Sequence, residues 1–559
     1  MLRSRATQLL TAVSLAGIVL ALPARPAQAQ AGLTHLDDAT MVPRGEWRLQ
    51  AVTAWTRFNA RFAPSGSGKT TIPLGADFTF DSLGTAQLPA LAGTQNAIQA
   101  LTGSPFKLTL GATSAATDAR VVVMPMSLEY GLFHRLTLGA MIPLVRTRMN
   151  IMLRVNPLGT EANVGLNPAA VNLASLARDS SVVAQLTNAA AALQATLKSC
   201  QADAGSDPNC PQILANEQDV NTLLQSAASF TNAFAAVYGQ SAQARGSAVV
   251  PLSGSAADNL VKARLVSYDS AFQSYLAGSA PRITSSPAAA GGPLGTADFG
   301  TLLHDPAIAG FDSVKSTIRI GVGDLELSAR LLLFDQFDDS AVSANPAGLH
   351  ARATLTGIYR VPTGQLAAAG NPLDIATGHG TSAAGARLAA YTQWGKRVGL
   401  SATASFMQSF GKTKSGAYPL ALGAPFPPST ADVYPYTPGA VTTIEIAPRF
   451  MVTRLLGVSG LFDLQHVAAN RYAGLSTGAG APAATPLAIF DGVSSAPGTL
   501  QAAGFGITYS TVTEFERGRA ALPIDVTFTH LEALSGAARM AKTFRDQIGL
   551  RFYYRRGPR

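Results

Sequence analysis

Between Gly323 and Phe334 polar and apolar side chains alternate, with Asp324, Glu326, Ser328 and Arg330 interleaved with Leu325, Leu327, Ala329, Leu331 and Leu333. A period of two places one set on each face of a β-strand. In a soluble sandwich the apolar face would be the core, accompanied by fully apolar strands and charged surface loops, and this chain has neither. The alternation returns about every 20 to 40 residues, separated in turn by tight turns and by long loops rich in Gly, Pro, Ala and Thr. That rhythm predicts an all-β transmembrane barrel whose apolar face meets lipid and whose polar face lines a lumen.

The pattern predicts strands at 46–59, 120–130, 136–148, 316–334, 349–361, 385–394, 398–411, 440–453, 456–468, 502–516, 522–531 and 544–554. That is about twelve antiparallel strands, within a range of ten to fourteen, and an even number leaves both termini in the periplasm. In the first strand Trp47, Leu49, Ala51, Thr53 and Trp55 share one face and Arg48 and Gln50 the other. The tryptophans suit an interfacial aromatic girdle. The closing strand carries Ile548, Leu550, Phe552 and Tyr554 at alternate positions, which resembles the C-terminal signal read by the outer-membrane insertion machinery; that signal usually ends on a terminal aromatic, whereas here Arg555 to Arg559 trail beyond it.

The division that follows is a signal peptide over 1–29, barrel over 30–152, an insertion over 153–314 and barrel again over 315–559. Arg3 and Arg5, the apolar run Leu9 to Leu22 and Ala27-Gln28-Ala29 have the order of a cleavable export signal. The run has 14 residues, short of the roughly 20 that a spanning helix needs. Cleavage would leave Gln30 first and reduce the formal charge from +9 to +6 by removing Arg3, Arg5 and Arg25.

Within the insertion the period changes from two to that of a helix. Val182, Leu186, Ala189, Leu193 and Leu197 form one stripe, Val220, Leu223, Leu224, Ala227, Phe230, Phe234 and Val237 a second, and Leu265, Tyr268, Phe272 and Tyr275 a third. Three amphipathic helices in an extracellular loop are expected. They form either a packed cap, whose stripes are its own core, or a lid or plug offering Phe234, Tyr268, Phe272 and Tyr275 to a solute. Cys200 and Cys210, the chain's two cysteines, bracket the turn-rich Gly205-Ser206-Asp207-Pro208, and in an exported protein they predict a local disulfide.

Composition narrows the function. Charged residues are 13% of the chain, well below the roughly 25% of soluble domains, and the basic residues are scattered, so no nucleic-acid footprint is present. The seven histidines show no ligand spacing, and neither a metal nor a cofactor is expected. His-Glu-x-x-His is absent from the sequence. A barrel hydrolase needs a nucleophile or activated water beside a base, for which His466 near Asp463, and His530 near Asp525 and Glu532, are the nearest groupings.

Tyr130-Gly131-Leu132-Phe133-His134-Arg135-Leu136-Thr137-Leu138-Gly139, then Gly321-Val322-Gly323-Asp324, then Arg360-Val361-Pro362-Thr363-Gly364 followed by Gly378-His379-Gly380 resemble, in order, motifs of the outer-membrane channel family linked to the meta-pathway of phenol degradation, itself similar in style to the long-chain fatty-acid transport barrels. The resemblance covers most of the barrel and not the helical insertion. It implies a monomeric barrel that passes small hydrophobic or aromatic compounds.

Strand parity nominates Glu129, Asp324, Glu326, Arg330, Arg352, Arg360, Arg387, Glu445, Arg449, Asp463 and Asp525 as lumen-lining. In a closed barrel they would pair into cross-strand ladders; in an open one they would set a transverse field for solutes. The resulting expectation is a non-enzymatic channel in the bacterial outer membrane for passive uptake of small apolar or aromatic molecules, with outer-membrane lipid and the assembly machinery as its other partners. The alternatives are a barrel hydrolase, and a scaffold with a closed lumen and a partner-binding cap.

Overall fold

The computed structural model describes residues 39–63, 68–157, 161–277, 279–305, 308, 314–337, 348–366, 374–415, 433–469, 471–472, 498–516, 518–537 and 540–554. The expected signal peptide lies outside the described residues.

Alternation resolves into twelve barrel strands: β1 Trp47–Phe58, β2 Thr113–Phe133, β3 Leu136–Val155, β4 in two pieces Thr317–Val322 and Leu325–Asp335, β5 Leu349–Val361, β6 Ala383–Trp394, β7 Val398–Ser409, β8 Val441–Met451, β9 Leu456–Val467, β10 Gly498–Ser510, β11 Ile524–Gly536 and β12 Phe544–Tyr554. Each pairs antiparallel with its neighbours, and β1 pairs with both β2 and β12, so the sheet closes on itself. Leu49, Leu128, Leu138, Leu327, Ile446, Phe462, Ile548 and Leu550 point outward and are exposed. No helix among the described residues is long and apolar enough to cross a membrane. A closed antiparallel barrel with an apolar outer face is the architecture that spans the bacterial outer membrane.

Short connections lie at one end, at 134–135, 395–397 and 452–455, and the longest loops, between β1 and β2 and between β3 and β4, at the other. At the short end Trp47, Trp394, Phe450, Tyr509 and Tyr554 are exposed, and Trp47 meets Tyr130 with ring centroids 4.6 Å apart. These rings form the girdle at the periplasmic interface.

Three boundaries differ from expectation for a physical reason. β2 begins at Thr113 and β3 runs to Val155, because the ladder continues above the apolar belt, where polar Thr113, Ser114 and Thr117 still pair across. β10 ends at Ser510: the alternating Val512–Glu516 is instead a short helix. There the Thr511 hydroxyl donates to the Leu522 carbonyl at 2.6 Å and Arg519 pairs with Glu514 at 2.5 Å.

Outside the membrane stands a helical cap: α1 Ala92–Thr102, α2 Leu173–Ala202, α3 Cys210–Ala215, α4 Glu217–Tyr238, α5 Ala256–Tyr275 and α6 Thr296–His304. The three expected helices correspond to α2, α4 and α5. The first long loop also contributes α1, whose Ile98 and Leu101 share one buried cluster with Leu186, Phe234 and Phe272 of the insertion. The short apolar spacing of α1 carries little helical signal, and its partners lie far along the chain. Asn172 caps α2 by accepting the Ala174 N–H at 2.9 Å, and Ser255 caps α5 by accepting the Asp258 N–H at 3.2 Å.

Cys200 and Cys210 are bonded, tying the end of α2 to the start of α3. Replacing both with Ser should loosen only the cap, by about 2–4 kcal/mol. Limited proteolysis should cut faster in 173–238, while the heat-dependent gel shift that reports barrel folding stays unchanged. Loss of that shift would show that the cap is needed for the barrel.

Candidate functional site

All eleven sequence-nominated lumen residues project from the inner face, but they form separate groups. Nearest the periplasm, Glu129 of β2 pairs with Arg48 of β1 and lies 4.0 Å from Arg330 of β4. Arg352 of β5 stands 3.7 Å from Asp335 and lies over the Phe337 ring at 4.3 Å. Across the barrel, Glu445 of β8 and Asp463 of β9 are directly opposite each other, Glu445 accepts from the Thr403 hydroxyl at 3.0 Å, and Arg387 is in electrostatic reach. Arg449 sits 6.0 Å from the Tyr391 ring centroid. Asp525 is 3.7 Å from Arg551 of β12.

The first group holds a plug that the sequence did not announce. Residues 39–45 turn into the lumen, where Ala39 and Val42 are fully buried. The Thr40 carbonyl accepts from Arg48 at 3.0 Å and from Arg330 at 3.2 Å, and the Thr40 hydroxyl accepts from Arg352 at 3.4 Å. Val42 donates its N–H to the Thr137 hydroxyl at 3.3 Å, and Ala39 packs on Ala389 and Tyr391 of β6. Gly131 accepts the Gly45 N–H at 2.8 Å, and a Cβ on Gly131 would overlap the Pro43 carbonyl. A side chain there would therefore push the plug off the wall.

The second group gathers at the break in β4. Leu144 of β3 pairs with Val322 and Met141 with Glu326, so three steps along β3 face four along β4. The extra residue is a β-bulge at Gly323-Asp324. Asp324 is fully buried, and its carboxylate accepts the Gly364 N–H at 3.0 Å and the His379 N–H at 2.7 Å. The Thr363 hydroxyl donates to the Gly323 carbonyl at 2.6 Å, and that of Thr377 to the Val322 carbonyl at 3.1 Å. Gly364 and Gly378 pack so closely that a Cβ on Gly364 would lie 2.6 Å from the Gly378 Cα. Burial, reinforced by Arg360, pushes the His379 imidazole down to about 4, so it is neutral at ordinary pH. Arg360 itself holds Glu326, with contacts of 2.9 and 2.5 Å. Three motifs far apart in the chain thus converge on one carboxylate.

The break has a further result. Leu325–Asp335 is laddered to both β3 and β5, whereas among the described residues Thr317–Val322 is laddered only to β3. Its other edge meets side chains of the β5–β6 loop, with Arg319 paired to Asp374 at 2.5 Å. That loop dips inward, where the Ile375 carbonyl accepts from the Thr147 hydroxyl at 3.1 Å and Ile375 packs with Phe58, Val121, Val123 and Val145 on the inner wall. Val123, Val145 and Gly321 lie in one cross-strand row, so this apolar patch runs directly to the unladdered edge.

The aromatic residues proposed for solute contact are elsewhere. Phe234 and Phe272 are fully buried, Tyr268 is 7% exposed, and Tyr275 packs against the same cluster. Their stripes face one another because each helix of the cap must bury its own apolar face, which leaves none of them for the lumen. Of the histidine groupings, His466 separates from Asp463 and His530 from Asp525, while His530 and Glu532 share the outer face. Asp463 faces inward and His466 outward, where its ring bonds the Thr499 hydroxyl at 3.0 Å; Asp525 faces inward while His530 pairs with Asp546 on the outer surface at 2.7 Å. An odd spacing in a strand puts residues on opposite faces. Arg48, Arg545 and Arg551 also face the lumen, and their alternation with outward Leu49, Ile548 and Leu550 was a readable signal. The plug and the inward loop carried no such signal.

No protein-family model matches the chain, and no curated protein does. Among solved structures, it is similar to an outer membrane channel from Pseudomonas putida F1 at 8% identity, over 93% of this chain and 100% of that one, with a TM-score of 0.40. It is similar to a FadL homologue from Pseudomonas aeruginosa at 10% identity, over 96% and 99%, with a TM-score of 0.27. The translocator domain of the autotransporter NalP from Neisseria meningitidis scores 0.26 at 7% identity, over 91% and 88%. Each of these scores lies below 0.5, so the function is read from the barrel's own residues.

Proposed function

We propose that the barrel is a monomeric outer-membrane channel for passive uptake of small hydrophobic or aromatic molecules. The observation that carries this reading is the apolar inner patch of Phe58, Val121, Val123, Val145 and Ile375, which ends at the unladdered edge of Thr317–Val322. A pore for polar solutes has no use for such a surface, whereas an apolar solute gains about 25 cal/mol for each Å² it removes from water. Ile318, Ile320 and Val322 are exposed on the outer side of the same piece, so a solute leaving through the wall there meets an oily surface. The periplasmic half, filled by the plug and its paired charges, is a poor path for it. The β5–β6 loop, held by Asp324, Thr363 and Thr377, acts as the door.

Gly321 offers the test, because a Cβ placed on it would lie 3.7 Å from the Thr377 side chain. In a Gly321→Cys, Thr377→Cys double variant, oxidation should pin the loop to the strand and cut uptake of a small aromatic into liposomes at least fivefold. A reductant should restore it. Equal uptake in both states would remove the wall route; no uptake by the unmodified protein above empty liposomes would remove the channel reading itself.

A further inference from the structure

On the outer face of the barrel three arginines stand side by side on neighbouring strands. Arg57 of β1 is directly opposite Arg120 of β2, and Arg120 directly opposite Arg148 of β3. All three are exposed, as is Arg146, two residues along from Arg148 on the same face.

Their height is set by the strands. Trp47, Tyr130 and Leu138 form a matching cross-strand row near the periplasmic end, ten residues away along each strand. At about 3.3 Å per residue and a tilt of about 40°, ten residues rise about 25 Å, the height of the apolar band of an outer-membrane barrel. The arginine row therefore stands where the hydrocarbon ends and headgroups begin. Trp55 lies just below on β1, and Ile318 and Ile320 are exposed on β4 beside Arg148 and Arg146.

Like charges directly opposite each other destabilise a sheet, so the row works against the ladder that carries it. Local carboxylates offset it only in part. Arg120 Nε donates to Asp118 at 3.2 Å, Arg57 Nη2 is 3.7 Å from Asp546, and Arg148 Nε donates to the side-chain Oδ1 of Asn150 at 3.0 Å. Two carboxylates thus face four guanidinium groups, and each contact uses one nitrogen of a fork that carries five N–H donors. Arginine forks match phosphate oxygens two at a time.

We propose that Arg57, Arg120 and Arg148, with Arg146 beside them, bind the phosphorylated headgroup of an outer-leaflet lipid, whose acyl chains lie along Trp55, Ile318 and Ile320. This site is on the outer wall, so it stands or falls apart from the uptake reading.

The test uses the full-length protein in detergent with its lipid removed, titrated with a diphosphorylated, multiply acylated glucosamine disaccharide and, separately, with the same lipid after enzymatic dephosphorylation. Bound lipid is counted by native mass spectrometry. The unmodified protein should bind the phosphorylated form at least tenfold more tightly than the dephosphorylated one. The R57Q/R120Q/R148Q variant should lose that preference, and Arg397→Gln, in a periplasmic turn, should keep it. Arg120→Gln alone, tested if the triple variant fails to fold, should lose at least threefold. Equal binding of the two lipids, full retention by the arginine variants, or displacement of the lipid by an equal concentration of inorganic phosphate would overturn the proposal.

Discussion

Leu327→Arg should block assembly of the barrel, while Ser328→Arg, one residue along, should leave it largely intact. Leu327 is exposed on the outer face of β4, and an arginine held near the bilayer midplane there costs about 2–4 kcal/mol. Ser328 points inward, opposite Gly139 of β3 and beside Glu129, where an arginine meets a carboxylate and water instead of lipid. Refolding into lipid vesicles, read by the heat-dependent gel shift, should give a large loss of folded protein for the first variant and a small one for the second. Equal losses would overturn the assignment of faces.

Glu129→Ala should release the plug. Its carboxylate lies between Arg48, 2% exposed, and Arg330, 7% exposed. Removing one partner from a buried ionic group costs about 3–5 kcal/mol, mostly through the charge left behind. Both arginines also donate to the Thr40 carbonyl, so their repulsion would act on the segment they hold. The expected result is faster proteolysis at 39–45 from the periplasmic side and a raised conductance in planar bilayers, with the strands still folded. Unchanged protection of that segment would mean that Val42, Ala39 and their apolar contacts hold the plug without the charges. An Arg48→Ala variant should show the same release, because it removes the other half of the pair.

The barrel was legible in the sequence because its signal is local. A lipid-facing leucine and a lumen-facing arginine alternate within one strand, so Leu327 and Arg330 declare their faces without reference to any other segment. The twelve strands and the inward set from Glu129 to Asp525 follow from that period alone. Partners were not legible, since pairing depends on which strands become neighbours: His530 takes Asp546 of β12 rather than Asp525 of its own strand. The three motifs around Gly131, Asp324 and Gly378 could be read as turn-rich stretches, but not as the seat of the plug and the anchor of the inward loop. Those roles rest on close backbone approaches that only the folded chain brings about. The plug itself left no mark, because Ala39, Thr40 and Val42 have no period and gain their meaning from arginines up to 312 residues away. The cap's aromatic stripes showed helices correctly but not what they face.

The cap's single core also fixes an order of events. Leu83, Leu88, Ile98 and Leu101 come before β2 and β3 in the chain, while Leu186, Phe234 and Phe272 come after them, and all are buried in one cluster. If the chain reaches the cell surface in sequence order, the first half of that core arrives long before its complement. Until α2, α4 and α5 have crossed, α1 has nothing to pack on, and a helix of 11 residues does not persist alone in water. In that order the outer end of the β2–β3 hairpin would stand open on one side until the second half of its domain arrived.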